Sequence, residues 1–178
     1  VLPSEWDMYA LDQEINDNGL PIDRQFVVNA IEMAARRKAE ILREMQDFTG
    51  LRNPGSTQQL LPWATERGYP FDDLQKDTVK KAIREADDNG MDEEAVKALN
   101  MRLTYNKSSV AKYDTIINRI TPDDRFRFAF QFCGAARTKR WAGRSLQAQN
   151  LPRTPKALED IDKLTIATDM VRNDDYDG

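Results

Sequence analysis

Between Pro21 and Phe48 the apolar side chains Ile22, Phe26, Val27, Ala30, Ile31, Ala34, Ile41, Leu42, Met45 and Phe48 return with a helical period. That spacing predicts one long amphipathic helix, because residues three and four apart share a face at 3.6 residues per turn. Asp23 stands where a side-chain oxygen can cap its first turn, and Gly50 stands where the left-handed residue that ends a helix belongs. Before it, Asn18-Gly19 is a turn signal, and Tyr9 to Ile15 reads as a helix end or a short strand.

Three more helices follow. One opens at Gly55-Ser56, where Ser56 and Gln59 have capping-box spacing, carries Pro62 with some distortion, and stops at Gly68. Another runs from about Lys76 to Asp88, and a longer one from Asp92 towards Ile120, with a break expected near Asn106 to Ser109. The period then changes. Arg125-Phe126-Arg127-Phe128-Ala129-Phe130-Gln131-Phe132 alternates strictly, which predicts a strand with four phenylalanines on one buried face. Residues 134–153 show no sustained period and read as loop. Thr154-Pro155 is expected to open a last helix, with Pro155 at its first position, before an acidic tail. The fold class expected is mainly α with a small β element (α+β): long antiparallel helices, then a short antiparallel sheet and an extended loop.

Composition excludes several chemistries. The chain has 178 residues, no histidine and one cysteine, Cys133. Ser-His-Asp and Cys-His nucleophile pairs, His-bearing zinc sites and internal disulfides are therefore impossible within it. A reducing compartment follows from the single thiol. No apolar run reaches the roughly 20 residues of a membrane span, so no membrane partner is expected. Trp6, Trp63 and Cys133 are read as packing residues.

The net charge of −4 conceals a strong asymmetry. Residues 1–100 hold 12 basic and 20 acidic side chains, residues 101–153 hold 11 and 3, and residues 154–178 hold 3 and 7. A block of net +8 therefore lies between segments of −8 and −4, and a phosphate backbone is the commonest partner of such a block. Its densest part contains Arg137, Thr138, Lys139, Arg140, Arg144, Gln147, Gln149, Asn150 and Arg153 and no acid. Cations suit phosphate oxygens, while amides suit base edges and sugars. The competing reading is a loop whose amides satisfy its own backbone. A second group comprises Arg102, Lys107, Ser108, Ser109, Lys112 and Tyr113, of which Ser108, Ser109 and Lys112, with Arg102 and Tyr105, can share one side of a helix; taken alone, it is read as an ordinary exposed helix face. The paired acids Asp72-Asp73, Asp87-Asp88, Asp123-Asp124 and Asp174-Asp175 fall in caps, turns and the tail, and no converging metal-binding pair is expected among them.

Thr138-Lys139-Arg140, followed by Gln147-Ala148-Gln149-Asn150-Leu151-Pro152-Arg153, resembles the first polymerase motif of family A DNA polymerases, especially those of bacteriophages. That motif reads T-G-R, a polar spacer, then Q-N-[IL]-P, and the spacing matches without a gap. Asn18-Gly19-x-x-Ile22-Asp23 within Leu11 to Asp23 resembles the lead-in to the thumb. Gly55-Ser56-Thr57-Gln58-Gln59-Leu60 resembles the start of a thumb helix, and Lys107-Ser108-Ser109 with Lys112-Tyr113 resembles the DNA-contacting thumb helix. The resemblance covers about residues 9–153. It implies a lead-in over 1–20, a helical thumb over 21–120, the start of the palm with a DNA-contacting loop over 121–153, and a helix with acidic tail over 154–178. It further implies that Arg140 takes the place of the arginine at the primer-terminal minor groove, and that Gln147, Gln149 and Asn150 lie along template and primer.

The chain departs from the family pattern at Lys139, where glycine is usual, so a close backbone approach there is in question. The family's two metal-binding aspartates, its fingers helix and its exonuclease carboxylates find no counterpart in the 178 residues. The expectation is accordingly a piece of a DNA-directed DNA polymerase, inactive alone and without a cofactor of its own, whose parent uses Mg2+ and acts in replication in a host cytoplasm. Its partners would be primer-template duplex DNA and the remaining palm and fingers. The alternative is a stand-alone helical regulatory or protein-interaction module with a basic loop; a complete small nuclease is a third reading, disfavoured by the missing acids and histidines.

Overall fold

A computed structural model of the chain describes residues 3–106, 111–135, 137–147 and 154–176. Helices α1 (Pro3–Asn18), α2 (Arg24–Thr49), α3 (Thr57–Thr65), α4 (Lys76–Arg84), α5 (Glu93–Tyr105), α6 (Ala111–Ile117) and α7 (Ile161–Arg172) account for most of them. Among the described residues, four two-residue strands accompany them: β1 (Leu20–Pro21), β2 (Arg125–Phe126), β3 (Phe130–Gln131) and β4 (Ala142–Gly143). The α+β class expected from the sequence is what the chain adopts. It divides into two compact units, one of residues 34–108 and the other of residues 1–33 with 109–178; α2 gives its first third to the second of these.

In the unit of residues 34–108, apolar stripes set the packing. Ala95, Ala98, Leu99 and Arg102 are the buried residues of α5, and their spacing of three, four and seven is one helix face. They meet Ile41 and Met45 of α2, Leu60, Trp63 and Ala64 of α3, and Val79 and Ala82 of α4 in a single apolar cluster. Ser56 is the N-cap residue of α3, but its side chain makes no capping bond. The capping box expected there does not form, because the Gln59 side-chain Oε1 accepts instead from the Asn53 backbone N–H at 2.8 Å. Gly68 is required by its turn: its φ is +89°, and a Cβ would stand 2.7 Å from the Gly90 carbonyl oxygen.

The other unit is built on a second cluster of Val27, Ile116, Phe126, Ala129 and Leu146. Tyr9 to Ile15 belongs to a helix, α1, rather than a strand. Asp23 caps α2 as expected, its carboxylate accepting from the Phe26 N–H at 3.0 Å. β1 pairs antiparallel with β2, Leu20 opposite Phe126, and β3 pairs antiparallel with β4, Phe130 opposite Gly143.

The single eight-residue strand expected over Arg125 to Phe132 is therefore corrected to two short ones with different partners. Phe128 takes a left-handed φ of +56° between them, which turns the chain over and ends the alternation. Phe126 and Ala129 enter the core at 1% and 4% exposure, while Phe128 is 67% exposed. The arginines of the alternation serve α1: Arg125 donates to the Asn18 carbonyl at 2.9 Å and Arg127 to that of Asp17 at 2.7 Å, satisfying orphan carbonyls at the helix C-terminus.

The last helix also differs. Lys156–Leu158 forms a 3-10 turn, and α7 starts at Ile161 with Asp160 as its cap, accepting from the N–H groups of Asp162 and Lys163. Arg172 of α7 pairs with Asp23 at 2.8 Å, and the Asn29 amide donates to the Arg172 carbonyl at 2.8 Å.

Acid should loosen this unit. The Phe26 N–H and then Arg172 hold Asp23 below its ordinary carboxylate value, and Arg127 and then Thr121 hold Asp123 well below it. A depressed folded-state value gives stability that is fully present above the unfolded value of about 3.9 and is lost as pH falls through the lowered one. The thermal midpoint is expected to fall as pH drops below about 4, and Asp123→Asn should flatten that fall. A pH series of thermal melts that is equally steep in the variant would overturn the assignment to Asp123.

Candidate nucleic-acid interface

Asn16 and Asp12, both buried on α1, fix the β3–β4 hairpin. The Asn16 side chain acts as a strand partner: its Nδ2 donates to the Phe130 carbonyl at 3.1 Å and its Oδ1 accepts from the Phe130 N–H at 3.0 Å. Asp12 Oδ2 accepts from Asn16 Nδ2 at 3.2 Å, which sets the orientation of the amide.

The hairpin closes on a turn at Ala135 to Arg140. The Ala135 carbonyl accepts from the N–H groups of Thr138 at 3.2 Å and Lys139 at 2.8 Å, while the Ala135 N–H donates to the Arg140 carbonyl at 3.1 Å. Arg137, Thr138, Lys139 and Arg140 are all exposed at this tip. Lys139 has φ +55°, the left-handed conformation that glycine adopts without steric cost. The backbone there keeps a glycine-like shape although the side chain is a cation.

Beyond β4, the Arg144 N–H donates to the Ala129 carbonyl at 2.7 Å and Arg144 itself is exposed. Ser145 and Gln147 also take left-handed φ values, +55° and +47°. Two contacts hold this segment. Arg119 donates to Ser145 Oγ at 2.6 Å, and Leu146 is buried in the second apolar cluster. Leu146 is an anchor that sequence reasoning missed, since one buried leucine in an aperiodic segment leaves no pattern. Gln147 is exposed. Gln149, Asn150 and Arg153 lie outside the described residues, as do Lys107, Ser108 and Ser109.

The second group is not one helix face. α5 ends at Tyr105 and α6 begins at Ala111, so Arg102 and Lys112 belong to different helices and different units. Arg102 is 7% exposed, and its guanidinium donates to the Gly55 carbonyl at 2.9 Å and to Thr57 Oγ1 at 2.8 Å. It stands as a support for the loop that opens α3: Nη1 and Nη2 are turned inward and bonded there, while Nε is buried with no hydrogen-bond partner among the described residues. Burial lowers its pKa from the ordinary arginine value. Lys112 is half-buried on α6.

No family model matches the chain, and no solved structure matches it. One curated protein does. Over 161 residues, 90% of the chain, it is 42% identical to a protein of Bacillus phage SP02 named DNA polymerase. The chain is similar to a phage DNA polymerase. It spans 24% of that protein's length.

The similarity reaches across both units, since only a tenth of the chain lies outside it. Among the described residues, no three acidic or cysteine side chains gather so that they could hold a metal ion, and no helix is long and apolar enough to cross a membrane. This surface presents four exposed cations, Arg137, Lys139 and Arg140 at the hairpin tip and Arg144 just after β4.

Proposed function

We propose that this chain is the duplex-gripping portion, thumb and beginning of the palm, of a family A DNA-directed DNA polymerase. The observation that carries the reading is the 42% identity over 90% of the chain to a phage protein named DNA polymerase. The exposed Arg137-Thr138-Lys139-Arg140 tip, in the position of the family's T-G-R motif, supports it.

In this reading Arg137, Lys139 and Arg144 neutralise phosphates of the primer-template duplex, and Arg140 reaches the minor groove near the primer terminus. Gln147, with Gln149 and Asn150, lies along the two strands. Minor-groove acceptors are shared by the correct base pairs, so amide and guanidinium donors there sense pair geometry without reading sequence. Arg102 acts behind the surface by holding the Gly55 to Thr57 loop. Nucleotidyl transfer, the Mg2+ it uses in the parent and the remaining palm and fingers are likewise proposals. The described residues offer no cluster that fits the metal, and no catalytic step is assigned to this chain.

The test is titration of the chain with a primer-template duplex. Binding should weaken steeply between low and physiological salt, since each neutralised phosphate contributes a slope of about −0.9. Arg140→Ala should weaken it by about 1–3 kcal/mol. Salt-independent binding, or an Arg140→Ala variant that binds as the parent does, would count against the reading and favour a protein-interaction module.

A further inference from the structure

Four aromatic side chains form a row on the unit that carries the basic hairpin. Trp6 and Tyr9, one turn apart on α1, are edge-to-face at 6.2 Å between ring centroids. Tyr9 meets Phe132 at 6.1 Å, and Phe132 meets Trp141 at 6.4 Å, again edge-to-face. Trp6, expected from the sequence to be a packing residue, is 62% exposed; Tyr9 and Trp141 are 44% and 40% exposed. Glu5, Trp6, Tyr9 and Phe132 line a cleft of ≈ 410 Å³ at one end of the row. At the other end, Trp141 directly follows the exposed Arg137-Thr138-Lys139-Arg140 tip.

We infer that this row is a stacking site for the bases of single-stranded DNA, with the base in the Trp6–Tyr9–Phe132 cleft and the sugar-phosphate chain on the hairpin cations. Three observations favour that occupant over a protein surface. The exposed apolar groups of the row are flat rings with π-faces, the surface on which successive bases stack whatever their sequence. Glu5 is among the residues that line the cleft, and a carboxylate repels phosphate but accepts hydrogen bonds from base N–H groups. The exposed cations Arg137, Lys139 and Arg140 immediately precede Trp141, the member of the row that meets Phe132, so a strand whose bases lie along the row has cations beside it for its phosphates. The inference goes beyond duplex gripping and takes from the polymerase reading only the class of ligand.

The test uses tryptophan fluorescence of the 178-residue chain. It is titrated with oligothymidylate of about 12 nucleotides, with an abasic oligomer of the same length, and with duplex DNA. Oligothymidylate should quench the emission and bind about tenfold more tightly than the abasic strand. A Trp6→Ala/Tyr9→Ala double variant should lose that tenfold difference while binding the abasic strand and the duplex unchanged; Trp6→Phe should retain it. Because both replaced side chains are exposed, an unaltered circular dichroism spectrum is expected. Equal affinity for abasic and oligothymidylate strands, or full affinity of the double variant for oligothymidylate, would overturn the proposal. So would a self-association of the chain that the double variant abolishes with oligothymidylate binding intact, since the row would then face protein. Loss of duplex binding alone would sink the duplex reading and leave this one standing.

Discussion

Phe126→Ala is expected to destabilise the unit of residues 1–33 and 109–178 by about 3–5 kcal/mol, the cost of emptying a buried aromatic site. Phe128→Ala, two residues on, should stay within about 0.5 kcal/mol. Strict alternation makes the two phenylalanines equivalent; the fold does not. Phe126 is 1% exposed and packed in one cluster with Val27, Ile116, Ala129 and Leu146, whereas Phe128 is 67% exposed. Phe126 lies opposite Leu20 in the β1–β2 pair, and both side chains pack in that cluster. Urea unfolding of both variants decides the matter: equal losses would restore the single strand and remove the chain reversal at Phe128. Because Leu146 shares the cluster and holds the segment after β4, Phe126→Ala should also weaken duplex binding, without altering any cation.

The second large effect is electrostatic. Replacing the hairpin cations together, as Arg137→Ala, Lys139→Gly, Arg140→Ala and Arg144→Ala, should flatten the plot of log binding constant against log salt by about 2.7 units, three phosphates at a slope near 0.9 each. Affinity for duplex DNA near physiological salt should fall by orders of magnitude. Glycine is chosen at position 139 because the left-handed φ there suits it, so the substitution removes charge without adding backbone strain. Stability should therefore change little while binding collapses. An unchanged salt slope would mean that these side chains do not touch phosphates.

Much of the helical framework was legible because its signals are local. The periodic stripe of α2 with Asp23 before it and Gly50 after it required no knowledge of the rest of the chain. Capping by Asp23 formed as expected, whereas the Ser56–Gln59 box did not, because Asn53 offered Gln59 a competing donor. The burial of Arg102 has a similar origin. Its charge and its neighbours in sequence suggest a solvent-facing cation, but its place seven residues after Ala95 on the buried stripe of α5 puts it inside. Once there, its two terminal nitrogens bond the Gly55 carbonyl and Thr57, 47 and 45 residues away, and its Nε is left buried without a partner among the described residues.

The candidate site shows the same division. The density of cations and amides between Arg137 and Arg153 is a property of composition, visible in the sequence, and the resemblance of its spacing to a polymerase motif needed no coordinates. The shape in which the cations are held depends on distant groups: the Asn16 amide pairing with Phe130 from 114 residues away, Arg119 bonded to Ser145, and Leu146 in the apolar cluster. The row from Trp6 to Trp141 joins a helix near one end of the chain to a hairpin more than 120 residues later, so no local pattern could reveal it. Period, caps and charge determined the helices, the class of fold and the basic block, since each arises from neighbours along the chain. Tertiary structure alone decided which aromatic is core and which is surface, which arginine is turned inward and which outward, because those outcomes rest on contacts between residues far apart in sequence.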